Sequence, residues 1–100
     1  MIAVRHLPRE DFEKCIFMFN GNELAEYIRN NVKESIEVAH VDTDDMQVAY
    51  ELTNTIDHAW WLNKEVKPFV NKARSTSMGD LMIGPDGTYA VAACGFVKVW

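Results

Sequence analysis

Covalent and conformational bracing is scarce in this sequence: two cysteines, three prolines and five glycines in 100 residues. Cys15 and Cys94 form no CxxC, have no neighbouring histidine, and sit in apolar runs where a reduced cysteine behaves as a small hydrophobe. That excludes a disulfide scaffold and gives no zinc-knuckle spacing. No apolar run approaches the roughly 18 residues a membrane span needs. The first eight residues lack the basic start and long apolar stretch of a signal peptide. A soluble protein of the bacterial or host cytoplasm, with no membrane association, is expected. Basic residues are missing where acids gather: residues 34–57 hold seven acids (Glu34, Glu37, Asp42, Asp44, Asp45, Glu51, Asp57) and no lysine or arginine. Net charge is −5. A nucleic-acid surface is disfavoured, because phosphates repel such a chain. Four bases against Glu65 in residues 64–74 do not reverse this.

What is present fits one globular domain over residues 1–100, with 48% apolar residues. Residues 2–6 alternate weakly, as a short strand. Residues 14–19 (Lys-Cys-Ile-Phe-Met-Phe) are apolar on both faces and predict a buried strand. A helix follows, capped by Asn20 or Asn22, with Leu24, Tyr27, Ile28 and Val32 at helical spacing. Residues 35–41 alternate as a strand, with Ile36, Val38 and His40 on one face. A long helix is predicted over residues 44–62, capped by Asp42 or Thr43, with Met46, Ala49, Thr53, Ile56 and Trp60 on one stripe. Residues 66–73 read as an irregular connection. Strands are then expected over residues 79–83 and 88–93, around the turn Gly84-Pro-Asp-Gly87, with a last strand over 96–100 after Cys94-Gly95. The order β-β-α-β-α-β-β-β predicts an α+β fold, two helices packed on one face of a mainly antiparallel sheet. The strand–helix–strand unit over 15–41 adds one parallel pair to that expectation.

Hydroxyls and an arginine concentrate in Arg74-Ser-Thr-Ser-Met-Gly-Asp80. Such donors suit a phosphate or nucleotide ligand, yet Gly-x-x-x-x-Gly-Lys is absent. The structural reading is a turn in which Ser75 and Ser77 satisfy backbone groups, Gly79 takes an unusual dihedral and Asp80 accepts amide bonds. Both readings single out Arg74, Ser75, Thr76, Ser77 and Asp80. On the long helix, Trp60 follows the core stripe while Trp61 lies with Tyr50, Asn54 and Asp57. Those four form either the flank of a wide core or an aromatic anchor with a polar rim. His6, His40 and His58 are too scattered for a metal site, and no cofactor is expected. A nucleophile at Ser75, Thr76 or Ser77 needs a base, and only Asp57-His58 offers a pair. The acidic segment also admits mimicry of nucleic-acid phosphates, against the plainer reading of solvated helix carboxylates.

Three stretches, Leu52-Thr53-Asn54 with Ile56-Asp57 and Trp60, then residues 74–81, then Gly95-Phe96, resemble the YodL-like proteins of phages, plasmids and other mobile elements. These carry a similar Arg-Ser-x-Ser-x-(Gly/Ser)-Asp core ending in Gly-Phe. The resemblance covers roughly residues 42–98, with Met78 where the pattern has Val. It implies a phage or mobile-element origin and brings no catalytic residues with it. Together these readings lead to an interaction protein with a protein partner. The alternatives are an acidic inhibitor of a nucleic-acid-handling protein and a phosphate or nucleotide binder through residues 74–80. An exposed sheet edge leaves pairing with a second copy open.

Overall fold

A computed structural model describes residues 1–55 and 57–100. Ile56, placed above on the helix stripe, lies outside the described residues. The elements are β1 (Ile2–His6), α1 (Arg9–Cys15), α2 (Gly21–Asn31), β2 (Ile36–Val41), α3 (Met46–Thr53), a 3-10 turn (Trp60–Leu62), β3 (Val66–Pro68), β4 (Leu81–Gly84), β5 (Gly87–Val91) and β6 (Phe96–Lys98). The fold is α+β. The six strands form one sheet in the order β3-β2-β1-β4-β5-β6, and each neighbouring pair is antiparallel.

Adjacent residues of β4 and β5 divide between two apolar clusters. Met82 and Val91 join Ile2, Val4, Val41, Ala49 and Trp60, whereas Leu81 and Ala90 join Cys15, Leu24 and Ile28. Because successive strand residues point to opposite faces, α3 and the 3-10 turn cover one face and α1 with α2 the other. The helices are therefore shared between two faces rather than gathered on one.

The predicted strand over 14–19 is absent, and with it the parallel pair. Pro8 precedes a helix whose first turn holds Glu10 and Asp11 and whose last holds Lys14, an order that suits the helix dipole. The apolar run begins as that helix ends, at Cys15, and Phe17 and Phe19 project outward. Of the two candidate caps it is Asn20, not Asn22, that starts the second helix: the Asn20 side chain accepts from the Asn22 and Glu23 amides.

In β2 the alternation is interrupted. Val4 faces Ala39 and Arg5 faces Glu37, so Val38 is an extra, bulged residue. Val38 and Ala39 are both buried as a result, and Ile36 is left exposed.

The long helix is broken. Asp45, not Asp42 or Thr43, caps α3, accepting from the Gln47 and Val48 amides. The helix stops at Thr53, and its final carbonyls find partners in its own last side chain and in residues beyond it. Thr53 Oγ1 donates to Ala49 O (2.8 Å), Asn63 Nδ2 to Leu52 O (2.7 Å), and the Thr76 amide to Thr53 O (2.9 Å). A helix end satisfied in this way has no need of another turn. Residues 66–68, read as irregular, pair with β2 as an edge strand carrying Pro68. The β4–β5 hairpin turns at Pro85-Asp86 as predicted. Gly87 (φ 147°) is required there, since a Cβ would lie 2.6 Å from Trp100 O.

Candidate functional site

Asp80 stands immediately before β4, with no solvent exposure. Four donors converge on its carboxylate: Arg74 Nη1 on Oδ2, Arg74 Nη2 on Oδ1 (2.8 Å), the Leu7 amide on Oδ1 (2.9 Å) and the Ser77 amide on Oδ2 (2.8 Å). This is the fork-to-fork geometry that makes arginine–carboxylate pairs specific. Arg74 also donates to Leu7 O and Ser75 O (3.2 Å each). Its guanidinium carbon lies 4.0 Å from the centre of the Phe12 ring, a cation–π contact.

Thr76 is equally buried. Its hydroxyl meets His6 Nε2 at 2.9 Å, its amide donates to Thr53 O, and its carbonyl accepts from Asn54 Nδ2. Trp60 Nε1 donates to Arg74 O at 3.1 Å. Burial pushes the His6 pKa below its ordinary value. The nearby Asp80 carboxylate opposes that shift and the Arg74 charge adds to it. Gly79 adopts φ 97°, and a Cβ there would stand 2.7 Å from Cys15 Cβ. Residues 74–80 therefore clasp the end of β1, helix α1, the end of α3 and the 3-10 turn.

Residues 74–80 therefore do not form a loop open to water. Thr76 and Asp80 are sealed inside, and Ser75 and Ser77 are half-buried. The details are those of the structural turn: the Ser77 hydroxyl donates to Ser75 O, Gly79 takes the left-handed conformation, and Asp80 accepts the amides. The donors that suited a phosphate already serve a carboxylate of the same chain. An open groove of about 660 Å³, lined by Arg9, Phe12, Glu13 and Arg74, adjoins the clasp. Its charges are likewise paired internally, Arg9 with Glu13 (2.8 Å) and Arg74 with Asp80.

The four helix residues do not assemble into one anchor. Trp61 is half-buried, edge-on to Trp60 (5.7 Å, 84°), and packs with Tyr50 against the first cluster. Asn54 turns inward to Thr76 O, while Asp57 stays exposed beside His58. His58 bonds Asn63 Oδ1 (2.8 Å) instead of approaching a hydroxyl nucleophile. Several acids of the 34–57 segment have local work: Asp45 caps α3, Asp44 pairs with the terminal amino group, and Glu37 pairs with Arg5 and His40. Cys15 is buried, its thiol pKa pushed up to about 11 chiefly by that burial, whereas Cys94 is exposed. Among the described residues no cluster of three or more potential ligands could hold a metal ion. Among the described residues no helix is long and apolar enough to cross a membrane.

Sequence reasoning missed the connector between α1 and α2. Phe17 and Phe19 are 74% and 70% exposed, while Met18 between them packs into the second cluster. The connector is pinned at both ends: Ile16 and Met18 amides bond back to Phe12 O and Cys15 O, and Asn20 caps α2. The phenyl rings thus stand outward on a fixed backbone. Compared with protein-family models, curated proteins and solved structures, the chain matches none.

Proposed function

We propose that the chain is a small protein-binding domain, of phage or mobile-element origin, that works in the cytoplasm by engaging another protein. The observation that carries this reading is the outward projection of Phe17 and Phe19 from a pinned connector. Aromatic side chains are favoured anchors in protein interfaces, and a preset backbone lowers the ordering cost of binding. The polar clasp at residues 74–80 supports the reading from the other side. It fixes the seat of α1, because Arg74 stacks on Phe12 and Gly79 abuts Cys15. The similarity of the 74–80 core to the YodL-like proteins supplies the phage or mobile-element setting.

The test is affinity capture from bacterial host lysate with the tagged chain and its Phe17→Ser/Phe19→Ser variant. The wild type retains a partner that the variant loses, while both show the same thermal unfolding. Equal retention by the variant, with loss instead on Trp61→Ala or Leu62→Ser, overturns the assignment of the surface.

A further inference from the structure

The apolar cluster beneath α1 and α2 takes no residue from β2 or β3. At that end of the sheet Val41 and Val66 turn to the opposite face, into the first cluster. Their neighbours His40, Asp42, Glu65 and Lys67 therefore turn to this one. His40 stands opposite Lys67, and the Asp42 amide donates to Glu65 O (2.9 Å), which carries the same register past Val41 and Val66. Asp42 thus faces Glu65, a like-charge pair that is unfavourable unless a cation answers it. With Met1 and Lys64, these residues line an open cavity of about 360 Å³. Among the described residues Asp42, Lys64, Glu65 and Lys67 form no ion pair. His40 is held by the Glu37 carboxylate and lies edge-on to Phe69 (4.8 Å, 83°), and Lys67 Nζ stands 6.0 Å from the centre of the same ring. One end of the cavity is acidic and the other cationic, two strand residues or about 6.6 Å apart.

We infer that this cavity binds a small zwitterion of dipeptide size, its ammonium over Asp42 and Glu65 and its carboxylate at Lys67. The termini of an extended dipeptide lie up to about 7 Å apart, which matches the separation of the two rungs. A free amino acid carries both charges on one carbon and cannot answer both. A polyamine would suit the acids and meet the lysines, and a phosphate would suit the lysines and meet the acids. The volume falls within that of small-ligand pockets, roughly 300–1,000 Å³. None of the residues that carry the protein-binding reading takes part, so the two readings stand or fall separately.

The test is titration of the isotope-labelled full chain with alanyl-alanine and leucyl-leucine, followed by amide NMR shifts. Beside them run the same dipeptides acetylated at the amino end or amidated at the carboxyl end, and free alanine. The expected outcome is saturable shifts at residues 40–42 and 64–67 with at least one free dipeptide. Each blocked form should bind roughly tenfold more weakly or worse, the size of one lost hydrogen bond to a charged group. Asp42→Asn/Glu65→Gln should erase the discrimination against the acetylated form, and Lys67→Gln that against the amide. Neither variant should lower the thermal midpoint, since Asp42 and Lys67 are exposed and Glu65 is half-buried. No saturable shift at these amides, or equal binding of the blocked forms, overturns the inference. So does an equal response to alanine, to putrescine or to inorganic phosphate.

Discussion

The loop over residues 74–80 and the connector over residues 16–20 exchange the places their composition suggests. The hydroxyl-rich loop carries arginine and aspartate, yet its Thr76 and Asp80 have no exposed surface. The connector is nearly all apolar, yet two of its rings face water. Burial in this protein tracks whether a polar group finds its full set of partners rather than its polarity alone. Asp80 collects four donors, and among the described residues no buried side-chain polar atom lacks a partner. Exposing apolar surface is unfavourable, and the exposure of these two phenyls is the observation on which the proposed protein-binding role rests.

The sharpest way to break the contrast is Asp80→Ala. It strips the guanidinium of its counter-ion and leaves the Leu7 and Ser77 amides unpaired. Removing one member of a buried ion pair costs about 3–5 kcal/mol. The lower end applies here because the Arg74 side chain keeps 30% exposure. Urea unfolding reads the loss, and a change within experimental error would mean the clasp is ornamental. Gly79→Ala follows, with both a left-handed backbone and a Cys15 contact to overcome. About 1–3 kcal/mol is expected from strain of this kind, read as a lowered thermal midpoint.

Next in size is a pH limb due to His6. Its folded pKa is below the ordinary value of 6.5, so the fold favours neutral imidazole. The stabilisation is therefore complete above pH 6.5 and declines as pH falls from there through the folded value. Urea midpoints measured from pH 7.5 downward should show this limb, and His6→Gln should flatten it. Phe17→Ser/Phe19→Ser should change stability least, within about 0.5 kcal/mol per site as for ordinary surface positions. A large loss in that variant would return the phenyls to the core and erase the distinction between the two loops.

Local signals made parts of this fold readable. Asn20 places the start of α2, Gly84-Pro-Asp-Gly87 places the β4–β5 hairpin, and alternation marks β2 apart from its bulge. The failures share a cause: partners distant in the chain. The apolar stripe runs on past Thr53, but the groups that satisfy the helix end come from Asn63 and Thr76. The run over 14–19 has the composition of a buried strand, while the helix signal that prevails sits just before it, in Pro8, Glu10 and Asp11. For the clasp, the turn chemistry of Ser77, Gly79 and Asp80 was legible, since it is local. His6, 70 residues from Thr76, and Leu7, 73 from Asp80, gave no sign of joining it. Phe17 and Phe19 were hidden for a different reason: composition alone assigns phenylalanine to the interior.

Hydroxyl-radical footprinting of the chain, free and in complex with its captured partner, tests the division between clasp and working surface most directly. The account predicts that Phe17 and Phe19 become protected from oxidation on binding, while residues 74–80 react alike in both states. Protection centred on residues 74–80, with the two phenyls still oxidised in the complex, would contradict it.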